Sequence, residues 1–137
     1  MDGEHPASAL LGTAADLPSL LDAAWQVFEC ILASVRAAEE DAGALLAAFV
    51  MTAAAAASGR DAICTAPALP RAAGPLSLPA LPGPPGEIAG QAASLAHLLR
   101  ARLAAAPAGS AADRAAVAAA IGCAERIGEL LAGTDER

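Results

Sequence analysis

The residues of this 137-residue chain best able to do chemistry are two histidines, three cysteines and a pair of glutamates at helical spacing, Glu125 and Glu129. A general base or a metal ligand needs a positioned partner and a pocket. His97 lies two residues from both Leu95 and Leu99, about 200° around a helix from each, which puts it on the side of Gly90, Ser94 and Arg100, facing water. A carboxylate metal centre of the helical-bundle kind would need Glu-x-x-His pairs, and neither His5 nor His97 has a Glu three residues before it. Glu125 and Glu129 share a face with Arg114, the polar side of their helix, and read as a solvated acidic patch. Cys30, Cys64 and Cys123 are odd in number and never in Cys-x-x-Cys spacing, so they read as free thiols in a reducing cytoplasm rather than a zinc or redox pair. No glycine-rich phosphate loop or nucleophile elbow occurs. The expectation is therefore no catalytic residue, no metal and no cofactor, with an enzyme or metal protein the least favoured reading.

The stretch around which the other elements must be arranged is Ala42 to Gly59, AGALLAAFVMTAAAAASG, uncharged throughout. Ala, Leu and Met favour helix, and an element apolar on every side is expected to be surrounded, so it reads as the central helix, stopping at Ser58-Gly59. At about 18 residues it reaches the length of a membrane span. Its second half, however, is alanine, which gains little from lipid and lets helix axes approach closely, so a buried core helix is the reading and no membrane span is expected.

One domain covers 1–137, large enough to bury a core without disulfides. The chain is 56% hydrophobic but only 2% aromatic, and its net charge of -7 falls in residues 1–58, where Arg36 is the only cation. That excess of carboxylates disfavours nucleic acid, whose phosphates need cations, and leaves a basic protein surface as a possible partner. The N-terminus begins acidic and lacks a sustained apolar segment, so no signal peptide is read there, consistent with a cytoplasmic protein.

Along the chain, residues 1–15 read as an arm: His5-Pro6 disfavours helix, Ser8 can start a short turn, and Leu10 and Leu11 can dock it. Asp16 then caps a helix with Pro18 in its first turn. Leu17, Leu20, Leu21, Ala24, Phe28, Ile31, Leu32 and Val35 form its apolar face, opposite Asp22, Gln26, Glu29 and Arg36, with Trp25 at the edge of the stripe, packed in the core or an interface. Residues 16–58 form either a first helical pair or one kinked helix. Uninterrupted, Leu17 to Ser58 would run about 63 Å, and Glu39-Glu40-Asp41 suits a first turn far better than a helix C-terminus, so a break is expected near 37–42.

Residues 59–86 hold seven of the ten prolines and two Pro-Ala-Leu-Pro units, at Pro67 to Pro70 and Pro79 to Pro82. This reads as an extended strap too apolar for a free linker, with Ile63, Leu69, Leu76, Leu78 and Leu81 laid over the bundle. Glu87 restarts helix as far as Pro107, Ser110 with Asp113 approximates a capping box, and a last helix runs to Gly133, giving a second helical pair over 87–133. The expected fold is all-α, a small up-down bundle of about four helices with a long Pro-rich crossover between the second and third. The expected function is a non-enzymatic binding or scaffolding module acting through homodimerisation and protein contacts. The runner-up is a carrier of a small apolar ligand with the strap as lid. Trp25, Phe28, Phe49, Leu69, Leu76, Leu78 and Leu81 are the expected ligand- or partner-binding residues.

Overall fold

A computed structural model of the chain describes residues 5–70 and 78–132 and is all-helical, with no strand among them. Five α-helices follow in order: α1 Pro6–Thr13, α2 Leu17–Ala37, α3 Leu46–Cys64, α4 Pro85–Ala104 and α5 Ala111–Ala132.

The first departure from the sequence reading is α1, where an arm was expected. His5 is extended, as a residue before proline should be, but it serves as the N-cap: its Nδ1 accepts the N–H of Ala7 at 3.0 Å, and Pro6 opens the helix where a missing N–H costs nothing. Ala7 and Leu11 are fully buried. The far end of α1 is held by Arg102 of α4, whose Nε and Nη2 donate to the carbonyls of Leu11 and Ala14 at 3.0 and 2.8 Å. Those are carbonyls that a helix C-terminus leaves without intrahelical donors.

α2 starts where expected, with Asp16 Oδ1 accepting the N–H of Ser19 at 2.9 Å. Its polar face is narrower than the periodicity implied. Gln26, expected in water, is 6% exposed and donates to Asp22, and Ser34 is 2% exposed. The break also falls where the helix dipole required it: Ala38 ends α2, Glu39–Asp41 and Gly43–Leu45 form two 3₁₀ turns, and Gly43 takes a φ of +55° that favours glycine.

α3 differs from the sequence reading twice. It continues through Ser58-Gly59 to Cys64, because Gly59 is a contact and not a stop. A Cβ there would lie 2.4 Å from Cε1 of Phe28, so only glycine lets the ring rest on the α3 backbone. Nor is α3 surrounded. Phe49, Ala56, Gly59 and Ile63 face inward, while Leu46, Val50 and Met51 are 45%, 49% and 44% exposed. α3 packs extensively on α2 and on α5, α4 packs on α5 and less closely on α2, and α1 bridges α2 and α4. Four helices in such a cycle cover one another's inner faces and leave the outer ones bare. One hydrophobic cluster runs through all five helices.

α4 begins at Pro85, two residues before the predicted restart, and α5 opens on a reciprocal capping box. Asp113 Oδ2 accepts from the Ser110 N–H and Oγ, and Ser110 Oγ accepts from the Asp113 N–H. The expected stop at Gly133 lies outside the described residues.

Candidate functional site

The outward face of α3 is the first candidate, and it arises from the composition of that helix. From Leu46 to Gly59 every position is uncharged and apolar or small, so over that stretch the side that cannot reach α2 or α5 has no charged residue to present; beyond it the same side carries exposed Asp61. Leu46, Val50 and Met51 occupy its first half, and Ala47, Ala54 and Ser58 are exposed along the same side. A groove of about 480 Å³ beside α2 is lined by Leu32, Arg36, Glu39, Val50, Ala57 and Arg60. A second, of about 420 Å³ beside α5, is lined by Met51, Ala54, Ser58, Gly122, Cys123 and Arg126. At the end of the first groove, Arg60 pairs with Glu29 of α2 at 2.9 Å and with its neighbour Asp61 at 3.3 Å. Such half-wet pairs contribute little stability but fix the charge pattern around the apolar strip.

Gly43–Cys64 is long and apolar enough to cross a membrane by length and composition, with a third of that window buried inside the protein. To span a bilayer it would have to leave α2 and α5, which would strip Phe28 from Gly59 and Glu29 from Arg60. Leu46, Val50 and Met51 are exposed on one side of α3, and the strip opposite is packed on α2 and α5.

The second candidate is where the described ends of the Pro-rich segment meet the helices. That segment begins later than expected, after Cys64. At one end the N–H of Ala68 donates to Asp113 Oδ1 at 2.9 Å, so the capping carboxylate of α5 also holds this segment. Hydrogen bonds from the Ala68 and Ser110 N–H groups hold the Asp113 carboxyl below its usual range. At the other end the Leu81 N–H donates to the buried Ser34 Oγ at 3.0 Å, and the Cys30 Sγ–H donates to the Pro79 carbonyl at 3.5 Å. His5 also reaches that carbonyl, at 3.0 Å; because its Nδ1 accepts from Ala7, its Nε2 carries the proton and donates. Burial pushes the Cys30 thiol up, toward the neutral form that such a donor needs. Beside this end, a cleft of about 440 Å³ is lined by His5, Ser8, Leu81, Glu87, Gln91 and Ser94.

The seven residues expected to bind a ligand or partner are not gathered at one opening. Phe28 and Phe49 are fully buried in the core, and Leu81 is 4% exposed at the rim of the last cleft. Leu69, Leu78 and Trp25 are half-buried against the core, so the indole lies at its edge rather than inside it. Leu76 lies outside the described residues. Leu46, Val50 and Met51 were not among the seven. The signal was present in the doublets Leu45-Leu46 and Val50-Met51, which load adjacent sides of a helix where a buried face needs only one.

Among the residues weighed for catalysis, His97 is exposed on α4, Glu125 pairs with Arg100 at 2.7 Å, and Glu129 is exposed. Among the described residues no group of three or more His, Cys, Asp or Glu could hold a metal ion. Compared with protein-family models, curated proteins and solved structures, the chain matches none.

Proposed function

We propose that this chain is a non-enzymatic binding or scaffolding module that works by self-association, through the outer face of α3. In this reading α2 to α5 form an up-down four-helix bundle, and the Pro-rich segment crosses from the end of α3 to the start of α4. Opposed directions of neighbouring helices are supported by the ties at their ends. Arg102 at the end of α4 reaches α1 just before α2 begins, while Leu81, shortly before α4, is bound near the end of α2.

The observation that carries the function is the exposure of Leu46, Val50 and Met51 on one helix face, each close to half. Single exposed apolar residues are ordinary, but three large ones contiguous with small residues and bordered by Arg36, Glu39, Arg60 and Arg126 have the make-up of an interface: an apolar centre and a polar rim. The exposed acidic turn Glu39–Asp41 at one end of the face suits a basic protein as an additional partner. Free Cys30, Cys64 and Cys123 fit a reducing compartment such as the cytoplasm.

A second reading, a carrier of a small apolar ligand with the Pro-rich segment as lid, draws support from the hydrogen bonds at Ala68, Pro79 and Leu81 that dock its two ends. Native mass spectrometry separates the two. The proposal expects a bare dimer; a monomer retaining a small molecule would replace it with the carrier reading.

A further inference from the structure

The cleft of about 440 Å³ between α1 and the start of α4 is lined by hydrogen-bond acceptors with no cation among them. Its apolar part is Leu81 and Leu95, 4% and 3% exposed, and Gly90 keeps it open, since a Cβ there would meet nothing within 4 Å. Its polar part is Glu87, Gln91 and Ser94 of α4 and Ser8 of α1. Two of these are held in place. Gly83, at a φ of +103°, lets the Glu87 side chain lie against its backbone, where a Cβ would overlap Oε1. Gln91 Nε2 donates to the carbonyls of Pro82 and Glu87 at 2.7 and 3.2 Å, which leaves its Oε1 as the free atom. Among the described residues the Glu87 carboxylate has no cation partner, and the Ser8 and Ser94 hydroxyls make no hydrogen bond.

We infer that this cleft binds a primary ammonium group carried on a short alkyl chain. An ammonium has three donors and no acceptor, which matches a carboxylate, an amide oxygen and hydroxyl oxygens that have no donor of their own. The chain would lie over Leu81 and Leu95 in the space that Gly90 leaves, the usual division of a small-molecule site into apolar area and a few placed polar groups. Two helices begin beside the cleft, and a helix N-terminus ordinarily favours an anion through its free N–H groups. Here those groups are missing or spent. Pro6 and Pro85 have none, the Ala7 N–H is taken by His5 Nδ1, the Ser8 N–H by the His5 carbonyl, and the Glu87 and Ile88 N–H groups by the Pro84 carbonyl. His5 adds no donor either, because its Nε2–H is committed to the Pro79 carbonyl. An anion would therefore meet Glu87 with nothing to offset the repulsion. The site is separate from the outer face of α3 and does not depend on self-association.

Heteronuclear NMR of the isotope-labelled full chain, titrated with n-pentylammonium chloride, tests the assignment. Salt at about 0.15 M screens diffuse attraction of the cation to an acidic protein. The expected result is saturable shifts centred on the amides of Ser8, Gly90, Gln91 and Ser94, with no comparable shifts from pentanoate. Glu87→Gln should weaken binding about tenfold or more, the loss of one charged hydrogen-bond partner. Gly90→Leu should abolish it by filling the cleft, and because leucine favours helix over glycine, that variant stays folded. An acetylated glycine-lysine-glycine amide separates the two sources of such a group. Binding as tight as that of pentylammonium assigns the cleft to lysine side chains of a protein, and weaker binding assigns it to a free amine. Shifts that never saturate, or that follow Glu39, Glu40, Asp41 and Asp61 instead of the cleft, would mark counterion attraction and overturn the site. Pentanoate binding as tightly as pentylammonium would also overturn it, as would a Glu87→Gln protein, folded by circular dichroism, that binds pentylammonium as well as the wild type.

Discussion

Replacing Gly59 with alanine should destabilise the protein, although glycine to alanine inside a helix ordinarily does the reverse. The intrinsic gain is about 0.8–1 kcal/mol. Against it, the new Cβ would lie 2.4, 2.5 and 2.8 Å from Cε1, Cζ and Cδ1 of Phe28. That ring has no exposed surface, so it cannot swing into solvent, and a stiff ring relaxes less readily than the tip of a long side chain. Overpacking of this kind costs about 1–3 kcal/mol, and three sub-contact distances to one ring place this case in the upper half. The net is a loss of about 1–2 kcal/mol, or about 4–10 °C in Tm for a chain of this size. Urea unfolding followed by circular dichroism at 222 nm measures it. Gly90→Ala in α4, where an added Cβ meets nothing within 4 Å, is the control and should gain about 0.4–1 kcal/mol. Adding Phe28→Leu should shrink the cost of Gly59→Ala by removing the clashing ring atoms. A Gly59→Ala protein as stable as the wild type would refute the α2–α3 contact on which the fold is built.

Three further predictions follow from the docked ends of the Pro-rich segment and from the cysteines. Ser34→Ala leaves the buried Leu81 N–H without its acceptor, so it should cost about 1–3 kcal/mol and speed exchange of that amide by hydrogen-exchange mass spectrometry. The Asp113 carboxyl titrates below the ordinary aspartate value of 3.8, so its stabilisation is complete above that value and is lost as pH falls through the lower folded one. Below about pH 4, thermal melts of Asp113→Asn should therefore depend less on pH than those of the wild type. With a thiol reagent, exposed Cys64 should react first, half-buried Cys123 more slowly, and Cys30 only on unfolding, since burial raises the latter two thiols.

The all-helical class was legible because the repeats that encode it are local. Leu17 to Val35 at three- and four-residue spacing, the Asp16 cap, the Ser110–Asp113 box and the misplaced Glu39–Asp41 carboxylates each act within one or two turns, and each appears in the structure. The misses depend on distant partners. Whether Gly59 stops a helix or admits a ring depends on Phe28, on another helix. Whether His5-Pro6 breaks or caps depends on whether Ala7 and Leu11 find a surface to bury against. Gln26 reads as polar and exposed until neighbouring helices close around it. The α3 face was missed for a related reason: a helix apolar on all sides has no moment, and sequence alone does not say which side its neighbours leave bare.

Sedimentation equilibrium of the wild type beside Val50→Glu tests the central claim most directly. Val50 is 49% exposed, so a glutamate there leaves the folded chain intact yet sets a charge at the centre of the proposed interface. The account predicts a wild-type dimer and a Val50→Glu monomer with unchanged circular dichroism and melting temperature. A wild type that stays monomeric at all concentrations, or a Val50→Glu dimer as tight as the wild type, would contradict it.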